Sequence, residues 1–108
     1  MIWSDEIDIA VTLTDSEGKI SYMNKKSQST FENAGQLIGT DLKDCHKENS
    51  NRIINNIIES KISNIYTIEK KGVKKLICQA PYFENGEYAG LAELSIVLPE
   101  NMPHFIRE

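Results

Sequence analysis

The stretch "IAVTLTDSEGKISYMNKKSQSTF", Ile9 to Phe31, decides the fold. Its first part, Ile9 to Asp15, alternates apolar and polar residues and is rich in β-branched side chains, which predicts a strand. Asp15 and Gly18 then supply turn chemistry, because an Asp side chain accepts backbone N–H bonds and Gly tolerates a positive φ. Lys19 to Met23 reads as the returning strand, so the stretch predicts a β-hairpin.

Helical signals follow the hairpin. Asn24 is a good N-cap for a short helix over Lys25 to Phe31. Further along, Asn49 or Ser50 can cap a longer helix. Its isoleucines are spaced by one, three and four residues, which places them on one apolar stripe about three turns long. The members of this stripe are Ile53, Ile54, Ile57, Ile58 and Ile62.

Three more strands are predicted near the end of the chain, over Asn64 to Glu69, Val73 to Phe83 and Tyr88 to Leu98. The Lys71-Gly72 and Asn85-Gly86 pairs separate them, and Asn-Gly is a strong hairpin signal. The order of elements predicts an α+β fold, in which a five-stranded antiparallel sheet has short helices and one longer helix on one face.

Glycine and proline add local detail near the last strand. Gly90, inside that strand, indicates a bulge or a close backbone contact. Pro99 and Pro103 forbid a regular continuation of the strand.

Composition narrows the class of protein. The chain has 108 residues, which fits a single domain over 1–108 with a core at about 7–98 and a tail at 99–108. Its start is acidic where a signal peptide would be basic and then apolar, so we expect a cytoplasmic protein. Net charge is −4 and the lysines form only short clusters, so we expect no nucleic-acid partner. No apolar run approaches the roughly 20 residues of a membrane helix.

The ordered set of motifs resembles the PAS domain family, over about residues 7–98. The resemblance rests on "VTLTDSEGKISYMNKKSQSTF", on "LIGTDLKD" and on the last hairpin, "ENGEYAGLAELSIVLPE". The sequence Asp44-Cys45-His46 is similar to that of a bacterial PAS subgroup with Asp-Cys-His after the glycine. Membership implies a sensory or interaction module that binds a small molecule or a partner surface, without catalytic activity of its own.

Departures from the family bear on the cofactor, which the sequence leaves unknown. The flavin-thiol photosensor branch carries Asn-Cys-Arg-Phe where this chain has Asp41-Leu42-Lys43-Asp44, which argues against photoadduct chemistry. Haem-binding members place their axial histidine within the longer helix, where this chain has Ile54. Because His46 lies about two helical turns earlier, the resemblance does not support that haem mode.

Two neighbouring residues, Cys45 and His46, are candidates for a reactive or ligand-contacting pair. A thiolate beside an imidazolium can be activated, and histidine titrates near neutral pH. Adjacent residues on a helical turn point about 100° apart, however, and no third orienting group is identifiable. A buried Cys45 and a His46 that bonds a backbone carbonyl is the competing interpretation. The sequence shows no metal-ligand spacing and no catalytic motif.

Polar residues on the predicted strands are the other binding candidates. An inward-facing polar side chain must find a partner in protein, water or ligand, which directs attention to Tyr66, Gln79, Tyr82 and Glu93. Both faces of the last strand are rather apolar, so the pattern does not decide which face Glu93 occupies. Ile54 and Ile58 of the isoleucine stripe could line a cavity or simply pack a core. Cys78, in the middle of a strand, reads as a core residue.

The expected function is therefore non-enzymatic sensing of a small molecule held between sheet and helices. The signal would pass through a homodimer or to a partner such as a kinase or cyclase output domain. Ile2 and Trp3 would pack across the sheet or against a second subunit, and the dimer would use the outer sheet face. Two alternatives stay open: a ligand-free interaction or dimerisation domain, and a thiol redox sensor through Cys45.

Overall fold

The five strands form one antiparallel sheet. The structure is a computed structural model that describes residues 2–30, 57, 59–60 and 62–108. Strand order across the sheet is β2-β1-β5-β4-β3, with every neighbouring pair antiparallel. The predicted fold class is confirmed, and each strand boundary lies within one residue of its prediction. The elements are β1 Ala10–Thr14, β2 Ile20–Met23, α1 Lys25–Thr30, β3 Asn64–Lys70, β4 Val73–Glu84 and β5 Glu87–Val97.

The hairpin turns have the predicted chemistry. The Oδ1 atom of Asp15 accepts hydrogen bonds from the backbone N–H groups of Glu17 at 2.9 Å and Lys19 at 3.0 Å. The other two hairpins close through Lys71-Gly72, with φ of 53° and 79°, and Asn85-Gly86, with φ of 53° and 83°. Two successive positive φ angles match the twist of the flanking strands, so these short turns fix the register of the three C-terminal strands.

The two faces of the sheet differ in what covers them. Thr12 pairs with Glu93 and Glu93 pairs with Gln79, so all three side chains share one face. Helix α1 packs on that side, where the hydroxyls of Thr12 and Ser27 lie 2.6 Å apart. We call this the inner face and the opposite side, which carries Leu94 among others, the outer face. Among the residues that the structure describes, the buried apolar ones are Ala10, Val11, Ile20, Met23, Ile57, Ile77 and Leu91.

Gly90 lies on β5 where β1 and β4 approach it closely. The register between β4 and β5 shifts between Tyr82 and Phe83, opposite Gly90, as a bulge would require. The phenol of Tyr82 donates to the carbonyl oxygen of Thr14 at 2.8 Å. A Cβ on Gly90 would collide with that carbonyl and lie 2.7 Å from the Tyr82 hydroxyl. Both readings of Gly90, a bulge and a close contact, are therefore confirmed.

Asn24 joins three parts of the chain through one buried side chain, which is 2% exposed. Its Oδ1 accepts from the N–H of Ser27 at 2.9 Å, as predicted for the N-cap of α1, and from the N–H of Val11 at 3.0 Å. Its Nδ2 donates to the carbonyl oxygens of Ser4 and Ile9, each at 2.8 Å. Both donors and both acceptor positions of the amide are used.

One sequence-based expectation is wrong in the described residues. Ile62 does not continue the isoleucine stripe, because it lies outside helical structure and its side chain is 69% exposed. Of the two alternatives for Trp3, its 78% exposure argues against packing across its own sheet, and contact with a second subunit stays a prediction. Ile57 is helical and buried, as predicted. The end of α1 at Phe31 and the stripe members Ile53, Ile54 and Ile58 lie outside the described residues.

Within the ranges that the structure describes, no helix has the length and apolar character needed to cross a membrane. The chain after β5 has no regular secondary structure. Its first residue, Leu98, still donates its N–H to the carbonyl oxygen of Lys74 at 2.9 Å.

Replacing Asn24 with alanine should lower the free energy of unfolding by about 3 kcal/mol. The change removes a helix cap and leaves the buried N–H of Val11 without its acceptor. Chemical denaturation followed by circular dichroism measures the loss. Asn101→Ala, the same change at an exposed residue of the tail, is the matched control and should alter stability by less than about 0.5 kcal/mol. Equal stability of the two variants would contradict this role of Asn24.

Candidate functional site

A cavity of about 190 Å³ opens on the inner face, between α1 and the sheet. An engineered cavity of about 150 Å³ is large enough for benzene, so this space suits a small molecule of roughly one ring. Its described lining mixes aliphatic walls with hydroxyl groups, one carboxylate and one ammonium. These residues are Ala10, Thr12, Ser27, Thr30, Tyr66, Ile68, Lys75, Ile77, Glu93 and Ser95.

A row of polar side chains crosses the inner face at one end of the cavity. Asn64 Nδ2 donates to Gln79 Oε1 at 3.1 Å, and Gln79 Nε2 donates to Glu93 Oε2 at 3.1 Å. Gln79 is only 3% exposed, and strand pairing sets it between the other two residues. Because a carboxylate only accepts, Glu93 also fixes which way the Gln79 amide points. The row thus holds the Glu93 carboxylate in a defined orientation.

Tyr66, on the edge strand β3, is the second polar group of the cavity wall. Desolvation by burial raises the pKa of its phenol above the ordinary value of 10.0, and the nearby negative charge of Glu93 raises it further. The phenol therefore stays a neutral hydrogen-bond donor at physiological pH.

The structure brings part of the predicted site together. Tyr66 and Glu93 both line the cavity, and Gln79 supports Glu93 from the neighbouring strand. Of the remaining candidates, Cys45, His46, Ile54 and Ile58 lie outside the described residues.

Sequence reasoning missed several wall residues: Thr12, Ser27, Ser95 and Lys75. Thr12 could have been found, because it alternates in phase with the buried Ala10. Ser27 could also have been found, three residues after the predicted N-cap. Lys75 sits in a lysine cluster that reads as solvated surface, so its place in the wall had no sequence signal.

Among the described residues, the one cysteine lies away from the cavity. Cys78 is a half-buried free thiol in β4, opposite Leu94 on the outer face and away from the cavity. Among the side chains that the structure describes, no group of three His, Cys, Asp or Glu residues converges on a common point.

The N-terminal turn presents an aromatic side chain to solvent. Asp5 and Ile2 exchange two hydrogen bonds of 3.1 Å, one from the Asp5 N–H and one to its carboxylate. Tyr22 donates its phenol to Asp5 Oδ1 at 2.6 Å, and the Lys25 N–H donates to the Asp5 carbonyl at 3.0 Å. Trp3 is therefore exposed on a turn that is tied firmly to the domain. Ile65 on the outer face is also largely exposed.

Comparison with known proteins identifies the type of domain. The sequence profile described as "PAS domain" matches residues 5–96, most of the chain. No curated protein matches this sequence.

Solved structures share the fold at low sequence identity. The PAS domain of the histidine kinase ThkA superposes with a TM-score of 0.69 at 20% identity, over 83% of this chain and 99% of that one. A PAS domain from Colwellia psychrerythraea gives 0.63 at 22% identity, over 91% and 92%. The Aer2 receptor of Vibrio cholerae, titled a dual PAS-heme oxygen sensor, gives 0.59 at 17% identity, over 84% and 95%. Likeness at these identities establishes the PAS fold, whose sheet and covering helix frame the cavity.

Replacing Glu93 with glutamine should lower the pKa of Tyr66 while leaving it above the ordinary value. The substitution removes the carboxylate charge, but burial still disfavours the phenolate. A glutamine can accept from Gln79 through its oxygen, so the polar row is kept. Tyrosine labelled with ¹³C at Cζ gives one NMR titration curve for each of the four tyrosines, and Tyr66→Phe assigns the relevant one.

Tyr82 and Tyr88 serve as internal controls, because the causes that raise their pKa values do not include Glu93. The raised pKa of Tyr66 also makes the stability of the fold depend on pH. A phenol with a raised folded pKa stabilises the fold below its ordinary pKa, and this contribution is lost as pH rises through the folded value. Stability should therefore fall at alkaline pH, and Tyr66 should contribute less to that fall in Glu93→Gln. Identical Tyr66 titrations in both proteins would show that the two groups do not interact.

Proposed function

The chain belongs to the PAS domain family, and we propose that it is a sensory domain that binds a small molecule in the inner-face cavity. PAS domains are generally sensory, non-catalytic modules, and we extend that role to this chain. The cavity and its oriented carboxylate are the single observation that carries the proposal. Small-molecule sites combine mostly apolar walls with a few well-placed polar groups, and this lining has that composition.

The polar row favours a ligand over a filled core. A domain that only mediates contacts has no need for Gln79 and Glu93 on the covered side of its sheet, where polar groups cost stability unless they are hydrogen-bonded. Placed beside a cavity, the same residues can orient a ligand. Cys45, His46, Ile54 and Ile58 join the proposed site on the strength of the sequence alone.

We propose that the signal leaves through a homodimer and a signalling partner, such as a kinase or cyclase output domain in the cytoplasm. The exposed side chain of Trp3 supports this proposal. An aromatic residue held on an ordered turn loses little conformational freedom when a partner buries it. The outer face adds apolar area through Ile65, Leu76 and Leu94. Glu93 lies between Ala92 and Leu94 on β5, so a ligand that moves this strand also moves the outer face.

A ligand-free interaction domain is the second candidate, favoured by the exposure of Trp3. A redox role of Cys45 rests only on the Asp-Cys-His sequence. The two leading functions differ in what the cavity contains after purification, which is measurable.

Native mass spectrometry of freshly purified protein should show a retained small molecule. Ser95→Leu should abolish its retention, since the larger side chain fills part of the cavity. Ser63→Leu, at an exposed position before β3, is the matched control and should retain it. Circular dichroism checks that both variants are folded. Protein that carries no extra mass and gains no thermal stability from any compound of a metabolite panel would favour the ligand-free function instead.

Trp3→Ala should weaken the dimer about thirtyfold, the effect expected for an aromatic anchor worth about 2 kcal/mol. Light scattering at high micromolar concentration measures the mass. Phe105→Ala removes a comparably exposed aromatic, 69% accessible, from the C-terminal tail and should leave the dimer unchanged. A monomeric wild-type mass at that concentration would refute the dimer but would not bear on the cavity.

A further inference from the structure

The cavity floor is built from rows of inner-face side chains that run across the strands. The polar row that contains Glu93 is the first of them. Two residues away on each strand lies a second row, made of Tyr66, Ile77, Ser95 and Ala10. A third row, two residues further again, contains Ile68, Lys75 and Val97. The cavity reaches all three rows, and Lys75 is the positively charged member of its described wall.

A second cavity, of about 260 Å³, adjoins the first beyond the third row and shares Ile68 and Lys75 with it. Its wall adds Lys70, which pairs with Val73 in the antiparallel ladder. Lys70 and Lys75 are therefore diagonal neighbours on the inner face, a relation that separates side chains by about 7–8 Å. Because lysine carries its ammonium on a flexible four-carbon stem, both groups can reach one small anion at this end of the cavity.

The charges of these two lysines have no carboxylate partner in the part of the chain that the structure describes. The ion pairs found there lie near the N-terminus, and neither Lys70 nor Lys75 belongs to one. Glu69 is next to Lys70 in sequence, but its side chain alternates to the outer face, opposite Lys74. An anion bound between Lys70 and Lys75 would relieve their mutual repulsion and add its own attraction to each.

Neutral hydrogen-bond donors surround the same end of the cavity. The hydroxyls of Tyr66 and Ser95 both belong to the second row, one step from Lys75 on the neighbouring strands. The phenol keeps its proton at physiological pH, since burial raises its pKa above the ordinary value of 10.0. Two ammonium groups and two hydroxyls can therefore donate towards one point, which suits an acceptor with several lone pairs.

The remainder of the cavity sets the size and polarity of what extends from that point. Lys75 pairs with Val97, four residues along β5 from Glu93, so about 13 Å separates the lysine from the polar row at ~3.3 Å per residue. Between them Ala10 and Ile77 form an aliphatic floor. Since 13 Å exceeds the Debye length of about 8 Å at physiological salt, the Glu93 carboxylate only weakly opposes an anion at Lys75.

We infer that the ligand is a small carboxylic acid, bound as its anion, with the carboxylate at Lys75 and Lys70 and a body of about one ring over Ile77. This inference rests on the proposed function and specifies the chemistry of its ligand. Hydrogen bonds between ionised groups are the stronger ones, and a carboxylate has about four lone-pair positions to share among the donors. The half-buried position of Lys75 reduces the water that competes for its ammonium.

Three probes of one shape separate charge from size: benzoate, benzamide and benzamidine, which are anionic, neutral and cationic at pH 7. Binding to the ¹⁵N-labelled protein is followed through the backbone amide signals of β1, β4 and β5. Benzoate should bind at least about tenfold more tightly than either of the other probes, the margin that a charge-assisted hydrogen bond provides. Added salt should weaken benzoate and leave benzamide unchanged, because only the charged probe is screened.

Lys75→Gln removes the charge and keeps a polar side chain, so it should weaken benzoate about tenfold and change benzamide by less than about threefold. Lys74→Gln is the same substitution at the neighbouring exposed position on the outer face. This matched control should change neither probe by more than about threefold. The comparison of the three probes in the wild-type protein stands without any variant having to fold.

If benzamide or benzamidine binds as tightly as benzoate, or if Lys75→Gln leaves benzoate unaffected, the ligand class is wrong while the cavity stands as a binding site. Benzoate shifts confined to the turn at Lys71 and Gly72, without shifts at Ala10 and Ile77, would also overturn the inference, because the anion would then sit on the hairpin surface. If none of the probes shifts the cavity residues and no molecule is retained on purification, the inference and the proposed function fall together.

Discussion

The architecture depends on the hydrogen bonds of one buried amide, that of Asn24. Its oxygen caps α1 and accepts from β1, and its nitrogen ties down the carbonyls of Ser4 and Ile9. Together these bonds hold the first turn of α1, the beginning of β1 and the N-terminal turn in place. The helix is thereby aimed across the inner face, so that Ser27 meets Thr12 and forms one wall of the cavity. The same amide holds the N-terminal turn that presents Trp3, so the cavity and the exposed aromatic share one support.

Strand pairing carries the geometry from that support to the far side of the sheet. β5 lies between β1 and β4. A short turn fixes its register with β4, and the close approach of β1 and β4 at Gly90 fixes its position between them. The fixed register therefore keeps the Glu93 side chain on the inner face of the sheet. Because side chains alternate along β5, the cavity and the outer face are two sides of one strand. In the proposed function, a movement of β5 would therefore change both faces of the sheet without any additional element.

Much of this could be read from the sequence, because the signals were local. The alternation in β1, the Asp15 turn and the Asn85-Gly86 pair each involve neighbouring residues, and each prediction of structure there is confirmed. The cap formed by Asn24 was predicted for the same reason. Its bonds to Ser4, Ile9 and Val11 were missed, since they join residues more than ten positions apart.

The site was harder to predict than the fold. Period-two alternation could not choose a face for Glu93, because both faces of β5 are apolar; pairing with Thr12 and Gln79 makes that choice. Lys75 looked like surface for lack of any local clue. For Trp3 the sequence left packing across the sheet and contact with a second subunit open, and the bonds around Asp5 place its side chain in solvent, away from its own sheet. For Glu93, pairing with strands distant in sequence decides what the local pattern left open.

The fold of this domain tolerates wide variation in sequence. Structures between 17% and 22% identical to this chain keep the same sheet and helix arrangement, so backbone geometry and a few turn residues suffice for the scaffold. A row of Asn64, Gln79 and Glu93 is not needed for that scaffold, since an apolar row would fill the inner face at lower desolvation cost. Its side chains satisfy one another in sequence and end in a carboxylate at a cavity. Polar residues arranged in that way fit the ligand-binding role proposed for the cavity.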